Sequence, residues 1–369
     1  FYGIGGVGGP IFTANDPNNP VYSSGLASRN GRIIVPELGS NSGAIMIDTQ
    51  GNVINDFPPG GPLGVSGFSG LSITADGAIG YRGDFGFNER RLVIDEFDGS
   101  NQRVQTLVAS TADPDYSFIF TPVLNDARQF GLKVFDGSSN QLVVRFDPGG
   151  GVTTIADGTP SGPFNAFANG VSMSQDGRLA YYGRLRSTNQ YALYANNGTD
   201  EIRIAQPGDL DIISSDFINF GPAINSSGWT AFRARDGVST ALYVGDGQDI
   251  VKLVEVDQLM PTDLGDLPAG FDFGGFTGIQ VMNGPISIND DGQIGFSMFF
   301  RNGTIGVFTA TPSPACPADL NGDGVVDADD FFLFLQLFAN GDPRADINND
   351  GVIDADDFFA YLGLFAAGC

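Results

Sequence analysis

Two stretches near the end of the chain have the residue types and spacing of a cation-binding loop. Each runs for twelve residues, and the second begins 27 positions after the first. A cation of calcium's size takes about six to eight oxygen ligands, which such a loop supplies from positions 1, 3, 5, 7, 9 and 12. The sequence therefore predicts two calcium ions, held by Asp319, Asn321, Asp323, the Val325 carbonyl, Asp327 and Asp330 and by Asp346, Asn348, Asp350, the Val352 carbonyl, Asp354 and Asp357.

The remaining loop positions refine this prediction. Gly324 and Gly351 occupy position 6, where the backbone turns sharply in a conformation that favours a residue without Cβ. Position 12 is aspartate rather than the longer glutamate, so the following helix must come closer to the ion and magnesium competes with calcium. An Asp-, Asn- and Gly-rich run can also be an ordinary solvated turn, but two copies in register favour metal loops.

An apolar run follows each loop and must form the element that positions it. Helical spacing places two matching sets on one face of each run: Phe331, Phe334, Leu335 and Phe338, then Phe358, Tyr361, Leu362 and Phe365. Four further apolar residues lie off these stripes: Phe332, Leu337, Phe359 and Leu364. A helix pair with so apolar a second side is expected to dock against another surface.

Duplicated Asp-x-Asn-x-Asp-Gly loops, each followed by one helix, resemble a type I dockerin over roughly residues 318–369. That resemblance implies calcium-dependent docking to a protein partner such as a cohesin-like scaffold. Loop positions 10 and 11, which help dockerins recognise cohesin, are here Ala328-Asp329 and Ala355-Asp356, so an ordinary cellulosomal cohesin is not expected. The ending Ala-Gly-Cys369 further resembles anchoring modules at the C-termini of secreted planctomycete-type bacterial proteins.

The only two cysteines, Cys316 and Cys369, bracket this module. A disulfide between them would join its entry to its exit and stabilise it by roughly 3–4 kcal/mol on the chain-entropy model. The disulfide, the calcium loops and the resemblance together predict secretion by a bacterium to the cell surface or medium. Phe1 is typical of a processed N-terminus.

The long region before the module lacks helical periodicity and repeats a strand–turn–strand unit, as in Val171–Tyr181 and Ile286–Phe296. Five of the six units have a turn in which glycine supplies a positive φ, and a weaker copy lacks the glycine; the turns recur every 46 to 64 residues. The marker positions are Gly31, Gly77, Arg128, Gly177, Gly228 and Gly292. Six such units predict a mainly β fold, a six-bladed β-propeller with about four strands per blade.

These units resemble the Asn-x-x-Gly-x-x-Ala-Phe tandem repeats of large secreted bacterial proteins, a family that implies no particular chemistry. The Ser-x-x-Asp-Gly turns also resemble sialidase Asp boxes, which are folding turns. The predicted organisation is a glycine-rich tail (1–9), the propeller (10–310), a proline-rich linker (311–317) and the calcium module (318–369). Because the last unit lacks a fourth strand, residues 10–14 are expected to supply it and close the ring.

The composition excludes several kinds of chemistry. The chain has no histidine, which removes Ser-His-Asp triads and the usual general base. A net charge of −25 makes nucleic acid or an anionic membrane an unsuitable partner, and no stretch is apolar enough to span a membrane. The remaining carboxylates form no motif and are interpreted as solvated turn or rim charges: Asp84, Glu89, Asp95, Glu96, Asp115, Asp209, Asp211, Asp216, Glu255 and Asp257.

The sequence thus favours a secreted protein that is not an enzyme, with a structural or adhesive role. Its calcium-loaded module would dock to a partner, either a cohesin-like scaffold or a neighbouring copy in a filament. Packing against a neighbouring copy would also order the glycine-rich tail. The alternative is a carbohydrate-active enzyme or lectin propeller carried by its dockerin. Glycosylation is a further hypothesis, at the sequons of Asn197 and Asn302.

Overall fold

The computed structural model describes most of the chain. The described residues are 21–22, 27–38, 43–65, 67–85, 89–212, 221–235, 240–260, 262, 265–269, 271–272, 280–281, 286–300, 302, 305–311, 318, 320, 326–348 and 351–368. The predicted tail, the closing strand at 10–14 and both cysteines lie outside them. The chain divides into two compact units, Phe1–Ala310 and Thr311–Cys369.

The repeated turns form the hairpins that the sequence marks. In the fifth unit, for example, the Asn225 carbonyl accepts a hydrogen bond from the Gly228 N–H at 3.1 Å, and Gly228 has a φ of 96°. Glycine suits this left-handed conformation because it has no Cβ. Arg128 takes the same place in the third unit with a φ of 60°, and its side chain pairs with Asp76 at 2.9 Å and Glu96 at 2.6 Å.

Six antiparallel sheets follow one another as the blades of a six-bladed β-propeller, which confirms the predicted fold. The first blade has β1 (Val21–Tyr22), β2 (Ala27–Arg29), β3 (Arg32–Leu38), β4 (Ala44–Asp48) and β5 (Val53–Phe57). The second has β6 (Phe68–Ile73), β7 (Ile79–Phe85), β8 (Glu89–Phe97) and β9 (Arg103–Ser110). The third has β10 (Tyr116–Ile119), β11 (Val123–Leu124), β12 (Phe130–Asp136), β13 (Gln141–Asp147) and β14 (Gly151–Asp157).

The remaining blades repeat this plan. The fourth has β15 (Phe164–Met173), β16 (Leu179–Leu185), β17 (Tyr191–Asn196) and β18 (Glu201–Ala205), and the fifth has β19 (Ala223–Ile224), β20 (Thr230–Arg235), β21 (Thr240–Gly245) and β22 (Ile250–Val254). Two short hairpins follow, β23 (Leu259–Met260) with β24 (Leu267–Pro268) and β25 (Phe271–Asp272) with β26 (Gln280–Val281). Within the described residues the sixth blade has β27 (Ile286–Ile288), β28 (Ile294–Phe299) and β29 (Ile305–Ala310).

The apolar cores lie between consecutive blades. Between the fourth and fifth blades, for example, Tyr182 and Leu193 pack against Phe232 and Tyr243. Trp229, which follows the hairpin residue Gly228, packs against the core between the fifth and sixth blades. Because both faces of a blade bury apolar side chains against neighbours, each blade depends on the next for its stability.

The C-terminal unit is a pair of helices, α1 (Ala328–Asn340) and α2 (Ala355–Ala367), with a short 3-10 turn at Pro343–Ala345 between them. The repeat-related rings of Phe334 and Tyr361 stack at its centre, with centroids 4.0 Å apart and planes at 9°. Buried Tyr361 also donates its hydroxyl to the Ala318 carbonyl at 3.0 Å. No helix in the described residues is both long enough and apolar enough to cross a bilayer.

One detail of the predicted helix faces is wrong. Leu335, expected on the inner stripe, is 37% exposed, whereas Leu337, expected off it, is buried beside Phe334. The 3-10 turn explains the exchange, because buried Ala345 belongs to the same core as Leu337. Packing from the connection between the helices therefore rotates the buried face of α1 away from the simple stripe.

Candidate functional site

The second predicted metal loop closes on Asp357, its position 12. This carboxylate is completely buried and accepts the N–H groups of Ile347 at 2.8 Å and Asn348 at 3.2 Å through Oδ1. Its Oδ2 accepts the Asp354 N–H at 2.9 Å. These backbone hydrogen bonds, with that from Asp354 the largest contribution, lower the pKa of Asp357. The ionised side chain is therefore held inside the loop.

Position 1 of the same loop closes the turn at position 6. Asp346 Oδ2 accepts the Gly351 N–H at 2.9 Å, and Gly351 has the positive φ, 87°, that the loop pattern requires. The Val352 side chain is exposed, while its carbonyl is the predicted position 7 ligand. Loop closure thus follows from the residue types that the sequence places at positions 1, 6 and 12.

Both helices begin with a capping box built from predicted ligands. Asp327 and Asp354 are the N-caps, and Asp330 and Asp357 occupy the third helical position and accept the N–H of the cap residue. Asp330 Oδ2 lies 3.0 Å from the Asp327 nitrogen. Because positions 9 and 12 of each loop also cap the helix, folding of the helix start orients two of the predicted ligands.

The structure describes seven of the twelve predicted ligands. Five lie outside the described residues: Asp319, Asn321, Asp323, Val325 and Asp350. Among the residues that are described, no group of three or more acidic, histidine or cysteine side chains is close enough to hold an ion. The oxygen-only ligand set, the closed turn at Gly351 and the inward Asp357 nevertheless fit a hard cation, whose binding would join the loop to the start of α2.

The module also exposes two large apolar side chains at repeat-related positions. Phe332 in α1 is 64% exposed and Phe359 in α2 is 68% exposed. Both were predicted to lie off the inner stripes, and they do so. Large exposed phenyl groups at matching places on the two helices are suited to contact with another protein.

The sequons differ in their surroundings. Asn197 lies in a turn, where its side-chain oxygen accepts the N–H groups of Thr199 and Asp200, both at 2.9 Å. Asn302 is exposed. Asn225, by contrast, is buried and donates to the Asn289 carbonyl at 3.0 Å. Glycosylation at Asn197 and Asn302 stays a prediction.

In the propeller, Asp95 is not the solvated charge expected from the sequence. It is completely buried, and Arg103 Nη2 donates to its Oδ2 at 2.6 Å. Tyr81 and Gln105 donate to the same oxygen at 2.9 and 2.8 Å. Arg103 also donates to the Pro58 carbonyl at 2.6 Å, which links the second blade to the segment after the first. The carboxylate thus joins β7, β8 and β9 within the second blade.

The hairpin turns meet at one end of the ring. Asp126 of the third blade pairs with Arg29 of the first at 2.5 Å and accepts the Ala75 N–H of the second at 2.8 Å. Asp290 of the sixth blade accepts the Ser226 N–H at 2.9 Å, and this contact lowers the pKa of Asp290, with a smaller contribution from Arg29. Arg29 therefore interacts with acids on both sides of the first blade.

Cations stack on aromatic rings at the opposite ends of the strands, a feature that sequence reasoning missed. The Arg91 guanidinium lies 3.8 Å from the centre of the Phe85 ring, and that of Arg184 lies 5.6 Å from the Tyr191 ring. No local pattern indicates these pairs, because each cation and its ring lie on different strands.

Three comparisons relate the chain to known proteins. No protein-family model and no curated protein matches it. Similar solved structures include a gluconolactonase from Xanthomonas campestris, 12% identical, covering 80% of this chain and 88% of that one, with a TM-score of 0.41. Prolyl oligopeptidase B from Galerina marginata is 12% identical, with coverages of 80% and 43% and a TM-score of 0.46, so this chain spans less than half of it. The Aleuria aurantia lectin is 10% identical, with coverages of 79% and 95% and a TM-score of 0.39.

The expectation that the chain is not an enzyme is contradicted by these comparisons. Two of the three similar structures are enzymes, a gluconolactonase and a prolyl oligopeptidase. At 10 to 12% identity the similarity concerns the fold, and no catalytic residue is transferred from those proteins to this chain.

Proposed function

We propose that the C-terminal unit is a calcium-dependent docking module that attaches the propeller to a protein partner outside the cell. The observation that carries this proposal is the closure of the second loop around Asp357, together with the positive φ of Gly351. A calcium ion in that loop would draw Asp346 and Asn348 towards the start of α2. Binding would thereby couple the loop to the packing of the two helices.

The docking surface in this proposal includes Phe332 and Phe359. Because the loops are repeated, these two exposed rings hold equivalent places in the two halves of the module. Calcium would act by fixing the helix starts, and hence the positions of both rings. A partner presenting an apolar surface would bind them, and a neighbouring copy of this chain in a filament is the partner that we test first.

The calcium sites are tested by titration calorimetry on the whole chain. Wild-type protein is expected to bind two calcium ions. Asp357→Asn is expected to weaken one site at least about tenfold, because a ligand charge and the loop closure are both lost. Asp356→Asn is the matched control, since Asp356 is the exposed neighbour at loop position 11. Absence of calcium binding to the wild-type chain would contradict the proposal.

Docking is tested by light scattering with calcium and with a chelator. Self-association that appears with calcium and disappears on chelation is expected, and the Phe332→Ser/Phe359→Ser variant should bind calcium without associating. A chain that stays monomeric at every calcium concentration rules out the neighbouring copy as partner. The sequence-based alternative, a carbohydrate-active enzyme or lectin propeller carried by this module, stays a prediction.

A further inference from the structure

Lys133 is a buried cation in the middle of β12. It is 4% exposed, and its ammonium donates to the Phe167 carbonyl at 2.8 Å and to Asn169 Oδ1 at 3.2 Å, both in the fourth blade. No carboxylate of the described residues forms an ion pair with it. Burial alone lowers the pKa of Lys133 to about 8. A buried charge with no counter-charge among the described residues is costly, which makes this position favourable for an anion.

Two phenylalanine rings, Phe120 and Phe135, adjoin this ammonium, and the Phe118 ring packs on both of them. We call Phe118, Phe120 and Phe135 the phenyl cluster. Lys133 Nζ lies 4.5 Å from the centre of the Phe120 ring and 5.5 Å from that of Phe135. The centroids of Phe118 and Phe120 are 4.5 Å apart, and those of Phe120 and Phe135 are 5.3 Å apart. All three rings are half-buried, so each presents part of its surface to solvent.

A second cation borders the cluster on the side of the second blade. The Arg90 guanidinium lies 3.7 Å from the centre of the Phe118 ring. Asp84 Oδ1 lies 3.8 Å from Arg90 Nε and 3.5 Å from Arg82 Nε, so this carboxylate pairs with two guanidinium groups. Asp136, which follows Phe135, accepts N–H groups of its own turn, from Ser138 and Asn140. The cluster therefore lies between Arg90 and Lys133, and its acids already have partners.

We propose that Lys133 and the phenyl cluster form a binding site for a carboxylate attached to a ring. An ammonium has three N–H donors, and the two that bind Phe167 and Asn169 leave one for a carboxylate oxygen. The ring of the ligand packs on the exposed phenyl surfaces, as expected for a site with apolar walls and few polar groups. An acidic sugar and an aromatic acid share this chemistry.

The chain's own composition supports a specific role for Lys133. It has only two lysines, and the other, Lys252, pairs with Asp211 and Glu255 on an accessible part of the fifth blade. The equivalent position of the second blade holds Arg82, which has Asp84 beside it. Lys133 is thus the lysine whose charge the described residues leave uncompensated. This inference concerns the propeller and does not rest on calcium-dependent docking.

The test compares matched acids and neutral analogues by titration calorimetry on the whole chain. Galacturonate is compared with galactose, and benzoate with benzamide, at constant ionic strength. One or both acids are expected to bind and the neutral analogues are not. Binding of galacturonate alone identifies an acidic sugar as the ligand class, and binding of benzoate alone identifies an aromatic acid. Failure of both acids to bind overturns the proposal.

Variants then locate the site. Lys133→Met keeps the length of the buried chain and is expected to reduce the affinity for the acid at least about tenfold. Lys252→Met is the control and is expected to bind like the wild type. Thermal unfolding checks that Lys133→Met is folded, and Phe120→Leu provides a second variant that should also weaken binding. Unchanged affinity in Lys133→Met shows that the lysine is only structural and refutes the site.

Discussion

Replacing Asp95 with asparagine removes a charge from a completely buried carboxylate while keeping the shape of the side chain. Its two oxygens receive hydrogen bonds from Arg103, Tyr81 and Gln105, the shortest being 2.6 Å. The Arg103 side chain is only 12% exposed, so in Asp95→Asn a guanidinium stays buried without its counter-charge. Breaking one partner of a buried pair typically costs about 3–5 kcal/mol.

The hydrogen-bond geometry raises the cost further. In wild type, Arg103 Nε and Nη2 both point at Asp95, and Tyr81 donates its hydroxyl to it. The asparagine amide presents an NH2 group on one side, so at least one of these donors would face another donor. We therefore expect the free energy of unfolding to fall by about 4 kcal/mol, the middle of that range, rather than by its lower limit.

The assay is equilibrium unfolding in urea followed by Trp229 fluorescence and circular dichroism. Asp98→Asn is the matched control, because exposed Asp98 accepts N–H groups from Ser100 and Gln102 in the adjacent turn, through an oxygen that asparagine retains. The free energy of unfolding of this control is expected to fall by less than about 0.5 kcal/mol. A loss below about 1 kcal/mol for Asp95→Asn would show that Arg103 finds another partner or water, and would refute the argument.

Two further predictions concern stability. Gly228→Ala should lower the free energy of unfolding by about 1 kcal/mol. Because Gly228 has a φ of 96° and an added Cβ would meet nothing within 4 Å, this cost is purely conformational. Urea unfolding measures it, and an unchanged midpoint would contradict the prediction. Because the Lys133 pKa is lowered to about 8 in the folded chain and returns to about 10.5 on unfolding, the unfolded state binds more protons between these values. The free energy of unfolding of the wild type, relative to that of Lys133→Met, should therefore rise between about pH 8 and 10.5. Parallel pH profiles of the free energy of unfolding in the two proteins would contradict this.

Much of the architecture is local and could be derived from the sequence. A positive φ at Gly77 or Gly228 depends on the residue itself and on the turn, so the hairpin markers identify the strand pairs and their number. The loop pattern likewise places Asp354 and Asp357 among the ligands that precede and begin α2, and the capping contact between them spans only three residues. These interactions require no partner from a distant segment.

Only the tertiary structure decides which charged side chains are buried. Asp95 and Lys133 lie in ordinary alternating strands, and nothing beside them in the sequence distinguishes them from rim charges. Lys133 donates to the Phe167 carbonyl of the next blade, and Arg103, the partner of Asp95, donates to the Pro58 carbonyl in the segment after the first blade. The partners of Asp95 come from strands of its own blade, whereas those of Lys133 come from the next blade. The cost of the uncompensated lysine charge is therefore a property of the assembled ring.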